Sequence, residues 1–202
     1  MPNWCQNIMI ISHKDKDVLD NLMAQVRAGD GDLFQYIKPM PSGLDDTVKG
    51  SGDVSQTTEY DGHTNWYDWR NDQWGTKWDA CNMDYSVNGD TVQFTFDTAW
   101  SAPYGIYEAL MEQGFEVEAY YIEWGMMFTG EWHTDADEYT DGVYTIGEDD
   151  IPPHLDNEFG ITEQLQEMEA EENEDMTMEQ LEMIKKELTY YRQTYGDYEE
   201  NE

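Results

Sequence analysis

Basic residues are scarce in this sequence. Its 202 residues include 10 Lys and Arg against 45 Asp and Glu, which gives a formal net charge of -35 at pH 7. Because nucleic acids and acidic lipid surfaces are themselves anionic, they repel a chain of this charge, whereas basic surfaces attract it. The composition therefore argues against direct nucleic-acid or membrane binding, and it favours a basic protein partner.

Cysteine is also scarce, and long apolar runs are missing. Cys5 and Cys81 form no CxxC pair, so the sequence indicates neither a disulfide framework nor a sulfur-rich zinc site. The apolar run at residues 8–11 is far too short to cross a bilayer, and no basic segment typical of a signal peptide precedes it. We therefore expect a cytoplasmic protein with reduced thiols.

Sequence signatures of catalysis and cofactor binding are missing as well. The chain contains no P-loop, dinucleotide fingerprint, HExxH zinc motif or GxSxG nucleophile turn. His63, His133 and His154 do not share the short fixed spacing that metal ligands have on one element. The sequence therefore predicts no metal site, no cofactor and no enzymatic activity.

Aromatic residues, in contrast, are plentiful. The 8 Trp, 14 Tyr and 6 Phe distinguish this chain from disordered acidic tails, which are poor in aromatics. An apolar run at residues 8–11 predicts a strand, and the apolar residues that follow at helical spacing up to Gly29 predict a helix. Alternating runs on both sides of Asn88-Gly89 predict a hairpin. A helix from Pro103 to Gly114 and a strand from Phe115 follow.

This order of elements predicts an α+β fold. The succession β-α-β-β-α-β is the split βαβ, or ferredoxin-like, arrangement with an antiparallel sheet. A long aromatic-rich insertion occupies about residues 31–79, and residues 130–147 are expected to add a further hairpin to the sheet. We predict a ferredoxin-like domain over residues 1–150 and an acidic helical hairpin or tail over residues 151–202.

The predicted C-terminal part contains two helices. The first covers about residues 161–168, and the second starts at Thr177, which forms a capping-box pair with Gln180. Apolar residues of the second helix step by three and four residues, and this stripe must pack on the first helix, on the main domain or on a second subunit. A homodimer would use Leu181, Ile184, Leu188 and Tyr191.

Four segments carry a resemblance to a known family. They are PNWCQN at residues 2–7, KPMP at 38–41, NWYDWR at 65–70 and WGTKWD at 74–79. Over roughly residues 1–130 the chain resembles the YubB-like group of bacteriophage and plasmid proteins. The resemblance implies a ferredoxin-like domain and an origin in a mobile element, hence a host bacterial cytoplasm. It implies no established activity and no site residue, and it does not extend to the acidic tail.

The acidic surface is the leading candidate for function. A charge of -35 exceeds the magnitude of about 2 to 8 that serves solubility in a small domain, and it costs stability through self-repulsion. We therefore predict a phage counter-defence protein that binds and inhibits a basic host nucleic-acid-handling defence enzyme as a DNA mimic. The competing explanations are that the charge only keeps the protein soluble, or that the host favours acidic proteins in general. The predicted anionic surface consists of Glu163, Glu167, Glu169, Glu171, Glu172, Glu174, Asp175, Glu179 and Glu182.

The Trp-rich segment supplies an alternative function. Aromatic side chains interleaved with cations can stack on bases and hold phosphate, so the segment could bind a nucleotide immune signal as a sponge. The competing interpretation is a self-packed loop in which Arg70 and Lys77 pair with nearby carboxylates such as Asp68, Asp72 and Asp79. The candidate ligand-binding residues are Trp66, Trp69, Arg70, Trp74, Lys77 and Trp78.

Overall fold

The computed structural model describes residues 3–29, 32–47, 58–135 and 138–195. Within these ranges, it does not describe the side chains of residues 135, 138–139, 172–177, 179 and 191–195. The strands are β1 (Trp4–His13), β2 (Cys81–Asn88), β3 (Thr91–Ala99), β4 (Phe115–Glu123), β5 (Phe128–Asp135) and β6 (Glu138–Thr145). The helices are α1 (Lys16–Ala28), α2 (Phe34–Ile37), α3 (Trp66–Gln73), α4 (Tyr104–Glu112), α5 (Pro153–Phe159) and α6 (Ile161–Tyr195), with a 3-10 turn at Ser42–Leu44.

All six strands form one antiparallel sheet in the order β2-β3-β1-β4-β5-β6. β1 lies between β3 and β4, so that Met9 pairs with Phe94 on one side and with Ala119 on the other. The β5-β6 hairpin extends the sheet beyond β4. The predicted α+β class and the predicted additional hairpin are confirmed.

One side of the sheet carries helices α1 to α4 and the core. Alternate residues of β1, namely Cys5, Asn7, Met9 and Ile11, are buried on this side. Cys5, Met9 and Ile11 share one hydrophobic cluster with the apolar faces of α1 and α4. The intervening residues of β1 are more exposed and lie on the opposite side of the sheet. The sheet therefore has a helix-covered side and an open side.

Local turn signals account for the ends of several elements. Asn88 is the last residue of β2, and Gly89 and Asp90 form the two-residue turn before β3, where Gly89 has φ 62°. Pro103 precedes α4 as its N-cap, and Gly114 follows the helix with φ 88°. These left-handed positions favour glycine because a side chain there would clash with its own backbone. The predicted hairpin and helix are confirmed.

In its described residues, the predicted insertion contains short helices. α2, the 3-10 turn and α3 all lie between residues 34 and 73. Trp69 in α3 and Trp74 just after it belong to the main hydrophobic cluster, with 2% and 0% exposure. Residues 48–57 of the insertion lie outside the described part of the chain.

The C-terminal helices differ from the prediction. α6 is one helix of 35 residues, so the predicted start at Thr177 is wrong, and α5 and α6 are separated at Gly160 (φ 62°) instead. Residues 161–195 contain neither Gly nor Pro and are rich in Glu, Gln, Met, Leu and Lys, which favour an uninterrupted helix. The chain divides into two compact units, Met1–Leu155 and Asp156–Glu202. Among the residues that the structure describes, no helix combines the length and apolarity needed to cross a bilayer.

Candidate anionic binding surface

Charge is unevenly distributed along α6. Residues 161–177, here called the acidic half, contain seven Asp and Glu and no Lys or Arg. Residues 178–195, here called the neutral half, contain three acidic residues and three basic ones. A single continuous helix therefore joins a strongly anionic segment to a segment without net charge.

The acidic half has a charge density similar to that of a nucleic-acid strand. At about 1.5 Å per residue, positions 163 and 175 are about 18 Å apart along the helix axis, which gives one carboxylate per about 3 Å. One strand of duplex DNA carries a phosphate every 3.4 Å or so. Positions 163, 167, 171 and 174 recur at intervals of three or four residues, so they share one face of the helix.

All five of the predicted surface residues whose side chains are described are exposed. Glu163, Glu167, Glu169 and Glu171 are exposed in the acidic half, as is Glu182 in the neutral half. They are therefore accessible to a partner. The side chains of the other predicted residues lie outside the described part, namely those of Glu172, Glu174, Asp175 and Glu179.

The open side of the sheet is a second anionic surface, and it was not predicted from the sequence. None of the six strands in the described part of the chain contains Lys or Arg. Among the strand residues whose side chains are described, the register places five carboxylates on the open side, where an open cleft of about 330 Å³ lies beside β1 and β4. The lack of strand cations is visible in the sequence, but assigning these acids to one side needs the register. The five are Asp84, Asp97, Glu116, Glu118 and Glu131.

Glu131 is the centre of a hydrogen-bonded cluster on this open side. The Nε2 atoms of His133 and His154 lie 2.9 and 2.7 Å from its Oε2 atom, and the ring of Tyr120 lies against both imidazoles. Burial pushes the pKa of Glu131 upward, but the two histidine hydrogen bonds outweigh it and lower the pKa below its ordinary value. The cluster therefore favours an ionised carboxylate.

The three histidines considered as metal ligands do not converge on one site. His133 and His154 meet at Glu131, whereas His63 pairs with Asp72 at 3.0 Å. Within the described side chains, no group of three or more His, Cys, Asp or Glu is arranged to hold a metal ion.

The Trp-rich segment packs largely on itself and on the core. The Arg70 guanidinium lies 4.7 Å from the ring centre of Trp74 and 5.4 Å from that of Trp66. The Lys77 ammonium lies 4.0 Å from the ring centre of Trp78. Burial lowers the pKa of Arg70, although nearby carboxylates oppose the shift. Both cations already face indole rings, and the ligand site proposed for this segment stays a prediction.

The carboxylates expected near these cations have other hydrogen-bond donors. Asp79 accepts hydrogen bonds from the backbone N–H groups of Leu33, Phe34 and Gln35 at 2.8, 2.8 and 2.9 Å. Asp72 accepts from His63 and from the side chain of Gln73. Asp79 therefore holds the first turn of α2, a role that sequence reasoning missed because the two elements are far apart in the chain.

The two cysteines are unsuited to nucleophilic chemistry. Cys5 is fully buried in the core, and burial raises the pKa of its thiol to about 12. Cys81 is partly buried, and burial followed by the nearby charges of Asp97 and Asp79 raises its pKa as well. Since the thiolate is the reactive form, both thiols are held in their unreactive state near neutral pH.

Comparisons with known proteins give one distant structural likeness. No protein-family model matches the chain, and no curated protein matches it. Among solved structures, the chain is similar to the crystal structure of protein api92 from Yersinia pseudotuberculosis, described with family DUF1281. The two share 10% sequence identity with a TM-score of 0.46, over 75% of this chain and 100% of that one. The resemblance to YubB-like proteins stays a prediction.

Proposed function

We propose that this protein is a non-enzymatic phage accessory protein that binds and inhibits a basic host protein through a DNA-like anionic surface. The partner class is a nucleic-acid-handling defence enzyme of the bacterial cytoplasm. The acidic half of α6 carries the proposal, because it contains seven acidic residues and no basic residue along about 18 Å of helix.

The physical basis is competition for the same basic groove. An enzyme that binds DNA offers Arg and Lys to the phosphates, and these side chains form charge-assisted hydrogen bonds with carboxylates too. Complementary charge also steers the encounter and makes it sensitive to salt, as it does for DNA itself. A folded polyanion with a comparable linear charge density therefore competes on similar terms.

The sheet supports the proposal in two ways. Its cation-free strands and the five carboxylates on its open side extend the anionic character to the first unit. The strand order β2-β3-β1-β4, with α1 and α4 in one core cluster, supports a ferredoxin-like core. That is the fold that the resemblance to mobile-element proteins implies.

Two matched charge variants test the proposal. The first replaces Glu163, Glu167, Glu171 and Glu174 with Gln in the acidic half. The control replaces four exposed acids on the helical side of the first unit: Asp17→Asn, Asp20→Asn, Glu108→Gln and Glu112→Gln. Each set removes four negative charges, from -35 to -31, so the two variants differ only in where the charge is lost.

The variants are immobilised and exposed to bacterial lysate, and the captured proteins are identified by mass spectrometry. We expect the wild type and the control to capture the same basic protein at low salt, and to lose it when salt is raised or excess duplex DNA is added. The acidic-half variant should capture at most a tenth as much. Equal capture by both variants, or a captured protein that duplex DNA does not displace, would contradict DNA mimicry by α6.

A further inference from the structure

The neutral half of α6 carries a stripe of exposed apolar side chains. Leu181, Ile184 and Leu188 are 47%, 53% and 55% exposed. Their spacing of three and then four residues is that of the a and d positions of a coiled coil, which form one seam along a helix. The seam is thus formed within the described residues, and it continues in sequence at Tyr191, whose side chain lies outside them.

Exposed apolar surface is concentrated in this segment. Six of the twelve large hydrophobic side chains that are exposed among the described residues lie between positions 178 and 190. Scattered exposed apolar residues are normal on a protein surface, whereas a contiguous group indicates an interaction site. The six are Met178, Leu181, Met183, Ile184, Leu188 and Tyr190.

The charge of the neutral half indicates which partner fits this stripe. Its three acidic and three basic residues cancel, so it lacks the negative excess that attracts a basic protein. Two copies of a chain with net charge -35 repel each other strongly, and they repel least where each is neutral. The same mixture of signs also lets Lys185 and Lys186 of one copy approach Glu182 or Glu187 of the other.

We propose that the neutral half of α6 binds the neutral half of a second copy, forming a homodimer through Leu181, Ile184 and Leu188. In a coiled coil, each apolar side chain of such a stripe inserts between four side chains of the facing helix. Two copies of this helix have the same spacing, so the stripe of one copy fits the stripe of the other. The segment is about 27 Å long and covers little more than two heptads, so the dimer is concentration-dependent rather than obligatory.

Sedimentation velocity of the full chain tests this assignment. Leu181→Ala with Leu188→Ala removes the stripe, while Met168→Ala with Met183→Ala removes two exposed side chains off the stripe of the same helix. Alanine favours the helix in both variants, and circular dichroism checks that the helix is retained. From about 1 to about 200 µM, we expect the wild type and the methionine control to shift from monomer to dimer.

The stripe variant should need at least ten times more protein to reach the same dimer fraction, because apolar burial is lost on both copies. Added salt should strengthen dimerisation, because it screens the repulsion between the two anions. Salt has the opposite effect on partner capture by the acidic half, so failure of one proposal is distinguishable from failure of the other. A wild type that stays monomeric at all concentrations and salt levels overturns the dimer, as does a stripe variant that dimerises normally. If the wild type stays monomeric and captures a lysate protein that the stripe variant does not capture, the stripe binds a foreign protein instead of a second copy.

Discussion

His154, in the first turn of α5, places its Nε2 atom 2.7 Å from the Oε2 atom of Glu131 in β5. The carboxylate accepts, so the imidazole N–H is the donor. His133 donates to the same oxygen from two residues further along β5, at 2.9 Å. One carboxylate oxygen thus holds His154, at the end of the first unit, on the open side of the sheet.

Glu131→Gln should destabilise the first unit in a pH-dependent way. Because the pKa of Glu131 is lowered in the folded state, its ionised form contributes stability above its ordinary pKa of 4.5, and this contribution is lost as the pH falls through the folded value. We expect the variant to lose about 1 to 2 kcal/mol at pH 7, which is less than the roughly 1.5 to 3 kcal/mol of a buried hydrogen bond to a charged group because Glu131 is partly exposed to solvent. The difference from wild type should shrink below pH 4.5.

Thermal unfolding at a series of pH values measures this difference. Glu116→Gln is the matched control, because Glu116 is an exposed acid on the same side of the sheet that accepts a hydrogen bond from Ser12 at 3.2 Å. It should change the melting temperature little at any pH. A destabilisation by Glu131→Gln that is as large at a pH below the folded pKa of Glu131, where the carboxyl group is protonated in both states, as it is at pH 7 would show that the charge of Glu131 is not what stabilises the cluster.

Asp79→Ala should be strongly destabilising. Its Oδ1 accepts from the N–H groups of Leu33, Phe34 and Ala80, and its Oδ2 accepts from Gln35. Burial raises the pKa of Asp79 although these N–H groups favour its ionised form. Removing the carboxylate leaves several partly buried donors without an acceptor, at a cost of about 2 to 4 kcal/mol in unfolding free energy.

Urea unfolding of two further variants distinguishes the loss of the hydrogen bonds that Asp79 accepts at the start of α2 from a general effect of removing a negative charge. Asp79→Asn keeps one acceptor oxygen and should lose about half as much stability as the alanine variant. Asp97→Ala removes a carboxylate whose described side-chain donor is Asn82, and it should cost less than about 1 kcal/mol. If Asp79→Ala matched Asp97→Ala, the contacts of Asp79 with the start of α2 would contribute little to stability.

The sequence predicts those parts of the fold whose signals are local. The turn at Gly89 and the stop at Gly114 each depend on a few neighbouring residues, so the β2-β3 hairpin and α4 could be inferred. Asp79 accepts a hydrogen bond from Leu33, which is 46 residues away in the sequence, and no local pattern indicates such a contact. The capping-box pair at Thr177 misled the prediction, because such a pair marks a start only where the preceding residues do not already form a helix.

The two anionic surfaces also differ in how far the sequence predicts them. The acidic half of α6 is visible in the sequence because charge density along a helix depends only on residue order. The acids of the open side come together through strand register, which pairs Glu118 with His133 and Tyr120 with Glu131. His154 joins them from 23 residues further along the chain, so the cluster follows from tertiary structure rather than from a motif.

Arg70 distinguishes a structural from a ligand-binding role for the Trp-rich segment. Its guanidinium lies against Trp66 and Trp74, and Trp74 is fully buried with its indole N–H donating to the Lys38 carbonyl at 2.9 Å. Arg70→Ala should therefore lower the unfolding free energy by about 1 to 3 kcal/mol through lost packing and cation–π contact. Arg70→Met should recover part of this loss, because it restores apolar contact without charge.

Lys77→Ala is the control, since Lys77 contacts the single indole of Trp78, and we expect it to cost at most about 1 kcal/mol. Thermal shift with a panel of nucleotides completes the measurement. If the segment is structural, no nucleotide stabilises the wild type, and Arg70→Ala lowers the melting temperature without changing the response to any nucleotide. If a nucleotide stabilises the wild type but not a normally stable Arg70→Ala protein, the arginine holds a ligand, and the segment rather than the acidic half of α6 becomes the functional site.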